Sequence, residues 1–93
     1  MRTYYARMMD AATGGEGSYR FEGPEDLMKR TADEVVTVFF EAIGPKILES
    51  MVDWEVNGAL KNRDRGIVTA MGALIPDRNE PDMPFLLMIS DRA

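Results

Sequence analysis

The chain contains no cysteine and no histidine. Without cysteine there is no disulfide, no thiolate nucleophile and no sulfur ligand for zinc or an iron–sulfur cluster. Without histidine the chain lacks the commonest general base and the commonest metal ligand. A Ser-His-Asp triad is therefore ruled out for Ser18, Ser50 and Ser90, and no serine sits in a G-x-S-x-G elbow. Lys29, Lys46 and Lys61 lie beside or near other charges in segments that read as exposed, poor surroundings for an activated amine.

Basic charge is also scarce. Eleven Lys and Arg against sixteen Asp and Glu leave −5 at pH 7. Duplex nucleic acid requires a face that neutralises several phosphates, so a nucleic-acid partner is not expected. The densest basic cluster, Lys61, Arg63 and Arg65, is interrupted by Asp64 and reads as a solvated hairpin tip. Long apolar runs are missing as well. Arg2 and Arg7 break up the N-terminal segment before any apolar core of a leader forms, and the longest uncharged stretch is the eleven residues Gly66–Pro76. A membrane-spanning helix needs about 20 residues, so no membrane partner is expected and a cytoplasmic location is.

What is present is enough apolar residue, 45% of 93, for one core. A folded monomer of this length exposes roughly 5,400 Å² against roughly 15,000 Å² for the open chain. Residues 1–93 are read as a single domain.

Arg2–Asp10 is rich in Tyr and Met and reads as a strand with apolar side chains on both faces. Thr13–Gly17 is a glycine turn, and Ser18–Glu22 alternates cleanly around Tyr19 and Phe21, so the two segments predict a hairpin. The glycines Gly14, Gly15 and Gly17 do not read as a phosphate cradle: Glu16 sits among them, and a strand follows rather than a helix. Pro24 then opens a predicted helix of about nineteen residues, with Glu25 and Asp26 at its positive end. Met28, Ala32, Val35, Val36, Phe39 and Ile43 make its apolar stripe, and Gly44-Pro45 is expected to stop it. Val38 and Phe40 widen the stripe and hint at burial on two sides.

Residues 45–61 can be written as one helix, but the contacts then smear around the circumference. The better reading is a helical turn over Lys46–Ser50 and a strand from Met51. On that strand Val52, Trp54, Val56, Gly58 and Leu60 share one face, while Asp53, Glu55, Asn57 and Lys61 take the other. Asn62–Gly66 is a turn, Ile67–Ile75 a strand apolar on both faces, Pro76–Pro84 a loop, and Phe85–Ile89 a second wholly apolar strand. The predicted class is α+β: a two-layer sandwich in the order ββαβββ, an antiparallel sheet of about five strands with one main helix across one face.

Such a helix, about 28 Å long, cannot cover both faces of a five-stranded sheet. The surplus apolar surface predicts a non-catalytic protein-interaction module acting as a homodimer, with another protein as a possible further partner. Met8, Met9, Met71 and Met88, from a total of eight methionines, are candidates for an adaptable interface. The alternative is a small apolar ligand in a pocket between helix and sheet, lined by Met28, Val35, Phe39, Trp54 and Met71. Asp53 and Glu55 share a strand face, the spacing for a carboxylate pair or a hard cation, but on the polar side opposite Trp54 they read as solvated. Tyr4, Tyr5, Tyr19 and Trp54 resemble a base-stacking platform only without the basic surface such platforms need. No catalytic residue, cofactor or metal is assigned.

Overall fold

A computed structural model describes residues 1–10, 15–47, 51–62, 65–76 and 82–92. Five strands form one antiparallel sheet: β1 (Arg2–Asp10), β2 (Gly15–Gly23), β3 (Met51–Asn62), β4 (Ile67–Pro76) and β5 (Met83–Ser90), in the spatial order β2-β1-β5-β4-β3. One helix, α1 (Ala32–Ile47), packs on one face, preceded by a 3₁₀ turn at Leu27–Lys29. The predicted order ββαβββ and the two-layer α+β architecture are therefore present.

Alternation divides the sheet. Tyr4, Ala6 and Met8 of β1, Phe21 of β2, Val68, Ala70 and Leu74 of β4, and Phe85, Leu87 and Ile89 of β5 are buried beneath Val35, Val36, Phe39, Phe40 and Ile43 of α1. Aromatic rings run through this layer. Phe39 meets Phe21 edge-on at 5.5 Å between centroids, and Phe40 meets Phe85 at 5.4 Å and stacks on Trp54 at 4.9 Å. The breadth of the apolar stripe is thereby explained: Val38 lies toward Gly23 of β2, while Phe40 reaches β5 and β3.

The helix departs from its predicted bounds at both ends. It starts at Ala32, because Thr31 caps it: the Glu34 amide donates to Thr31 Oγ1 at 3.3 Å, and Thr31 Oγ1 donates to Glu34 Oε1 at 3.3 Å. This T-x-x-E arrangement satisfies an amide that the first turn otherwise leaves unpaired. Pro24 instead opens the turn that leads into the 3₁₀ segment, its carbonyl accepting from the Leu27 amide at 3.1 Å and from the buried Tyr4 hydroxyl. At the other end the helix continues through Gly44-Pro45 to Ile47, since a proline in the last turn removes only one ladder bond. Lys46 and Ile47 thus belong to α1, and 48–50 lie outside the described residues.

β3 carries the second departure. Its register against β4 shifts between Val56 and Gly58, leaving Asn57 as an extra residue. A bulge of this kind inverts the alternation beyond it. Ala59 and Lys61 consequently turn to the helix side, whereas Gly58 and Leu60 join the opposite face with Asp53 and Glu55. Lys61 Nζ donates to the Arg30 carbonyl at 2.9 Å, tying β3 to the entry of α1.

Candidate functional site

The face of the sheet away from α1 is the site, and its composition follows from strand parity. Met9 of β1, Leu86 of β5, Met71 of β4 and Gly58 of β3 pair successively and form one row across the sheet. Arg7, Met88, Thr69 and Leu60 form the adjacent row, and Tyr5, Ser90, Ile67 and Asn62 the next. No described element covers these rows, and their large apolar side chains are open: Met9 and Met71 are each 56% exposed, Leu60 78%, Met88 44% and Leu86 41%. Monomeric proteins seldom leave so continuous an apolar strip in water.

The charged groups on this face differ between its two ends. Arg7, Arg20, Arg65 and Arg92 gather at the end where β5 finishes, together with Glu22 and Asp91. Asp91 holds Arg2 at 3.1 Å and Arg92 at 3.7 Å. A groove of about 340 Å³ opens there, lined by Tyr5, Ile67 and Met88 with Arg7, Arg65 and Arg92. At the opposite end Asp53 and Glu55 stand exposed beside Ile75 and Ala73, and Asp82 precedes β5. Among the described residues no cation of the outer face lies near this acidic end, and no group of three carboxylates is placed to hold a metal ion.

No protein-family model, curated protein or solved structure matches this chain.

The residues singled out from the sequence fall on two sides of the sheet. Met9, Met71 and Met88 come together on the outer face. Met8 does not: it is fully buried on the helix side, one position out of phase with Met9. Met28, Val35, Phe39 and Trp54 belong to the helix-side layer, among the Phe21, Phe39, Phe40 and Phe85 ring contacts. Met71 lies across the sheet from them and cannot share a pocket with Phe39. Of the four aromatic residues considered as a platform, Tyr4, Tyr19 and Trp54 pack toward the core and Tyr5 alone belongs to the outer face. Leu86 and the arginine corner were not singled out from the sequence. Leu86 was legible by parity, since it alternates with the buried Phe85 and Leu87. The arginines were not, because Arg7, Arg20, Arg65 and Arg92 are far apart in the chain and only the strand order assembles them.

Proposed function

We propose that this protein is a non-catalytic interaction module that acts as a homodimer through the outer face of its sheet. The observation that carries the reading is the open row Met9–Leu86–Met71 with Met88 and Leu60 beside it, apolar and uncovered among the described residues. Methionine, unbranched and polarizable, suits a face that repacks on contact. A cytoplasmic setting belongs to the same proposal and is compatible with a chain free of cysteine.

Sedimentation velocity at micromolar concentration tests this. The wild-type chain is expected to sediment as a dimer, and Met71→Lys with Leu86→Lys as a folded monomer, because two ammonium groups would then be buried against apolar surface. A wild-type monomer up to roughly 100 μM, a concentration at which even a complex of mere micromolar affinity forms, would remove the proposal.

A further inference from the structure

The outer face is arranged about its own middle. Met71 lies midway along β4 between Ile67, which is level with Asn62 and Ser90 at the arginine end, and Ile75, which is level with Asp53 at the carboxylate end. Arg65 closes the β3–β4 turn just beyond Ile67, its amide held by Asn62 Oδ1 at 3.2 Å. On β5, Met88 and Pro84 flank Leu86 in the same way, with Arg92 beyond one end and Asp82 beyond the other. A half-turn about an axis lying along the Met9–Leu86–Met71–Gly58 row therefore exchanges the two ends of the face while returning the apolar row to itself.

Resting on the homodimer reading above, we infer that the occupant of this face is a second copy turned about that row, with the Arg65 and Arg92 end of each copy over the Asp53, Glu55 and Asp82 end of the other. Each contact is then made twice, as a closed two-fold interface demands. Met71, Leu86 and Met9 pack against their own counterparts on the axis. The second copy's Pro84 enters the groove beside Tyr5, Ile67 and Met88, where its neighbour Asp82 comes within the field of the arginines. The strands of the two sheets run nearly antiparallel, in keeping with aligned face-to-face packing at about 30°. The opposite choice, an axis along the strands, would set arginines on arginines and carboxylates on carboxylates. Charge thus selects the register, while the apolar row supplies the affinity. Gly58, where a β-carbon would meet nothing within 4 Å, keeps the edge of the row low enough for close approach.

The test uses two variants of the whole chain, one with the carboxylate end reversed (Asp53→Arg with Glu55→Arg) and one with the arginine end reversed (Arg65→Glu with Arg92→Glu), each checked for wild-type circular dichroism. Each alone is expected to self-associate about tenfold or more weaker than wild type, because like charges then oppose one another twice. Mixed one to one, they are expected to form a heterodimer, read by native mass spectrometry, with affinity restored to within about threefold of wild type. If both variants dimerise as wild type does, or the mixture gains nothing, the register is wrong. Leu86→Lys separates this from the underlying reading. Dissociation by Leu86→Lys while the charge variants stay dimeric overturns only the register, whereas a dimer indifferent to Leu86→Lys, or a monomeric wild type, overturns the face itself.

Discussion

Gly72 is the residue whose replacement the sheet tolerates least. A β-carbon there would lie 1.9 Å from the Glu55 carbonyl oxygen and 3.0 Å from Val56 Cα, so backbone rather than a movable side chain blocks it. Gly72→Ala is expected to cost about 1–3 kcal/mol in urea unfolding, the usual range for overpacking, with β3 pushed away from β4. Lys61 works in the other direction, as a polar group recruited to the helix side. Its bond to the Arg30 carbonyl at 2.9 Å is charge-assisted and partly buried, so Lys61→Met, which keeps the stem, is expected to lose about 1–2 kcal/mol. The same measurement on Arg2→Ala should show less than about 1 kcal/mol, since the Arg2–Asp91 pair at 3.1 Å is largely solvated. Gly72 is a glycine within a strand, a recognised mark of close backbone approach. Read only as part of a two-sided apolar run, it loses that meaning.

At the scale of elements, the helix and β3 show what sequence pattern resolves and where it fails. All five strands and the helix were legible, β1 to the residue, because period-2 and period-3.6 patterns report burial directly. Helix ends depend on local hydrogen bonds instead. Thr31-x-x-Glu34 was written in the sequence, yet Pro24 and the acidic residues after it offered an earlier and equally regular start. Thr31→Ala is expected to destabilise the fold by about 0.5–2 kcal/mol and to fray α1 as far as Val35, visible as faster amide exchange there. The bulge was not legible, since nothing in Asn57 distinguishes an extra residue from an alternating one. Strict alternation placed Leu60 with Trp54, and the bulge places it on the other face. Deleting Asn57 would remove only the extra residue: Gly58 then follows Val56 in regular alternation, with Leu60 still on the outer face and Lys61 still toward the helix. Because the Lys61–Arg30 bond is then kept, the deletion is expected to change stability by less than about 1 kcal/mol, read from the urea midpoint.

For the whole molecule, the candidate face was anticipated as a surplus of apolar surface, and three of its methionines were named, but its polarity of charge emerges only from strand order. Salt should therefore act on assembly and hardly on folding. For the proposed homodimer, raising ionic strength from about 0.05 to 1 M is expected to narrow the affinity gap between the wild type and the charge variants, read by sedimentation velocity, while the urea midpoint of Leu86→Lys moves little. Strand order has another consequence, which concerns time. The hairpins β1–β2 and β3–β4 are each made of neighbours in sequence, and β5 is inserted between β1 and β4, pairing Tyr5 with Ser90 and Gly72 with Phe85. During synthesis the sheet thus exists as two separate ribbons until its central strand leaves the ribosome. The closing step joins the two ends of the described chain and carries the highest loop-closure cost. Joining those ends with a short linker and reopening the chain between β2 and α1 would make every pair of hydrogen-bonded strands neighbours in sequence, and the refolding of such a permutant should be faster than that of the native order.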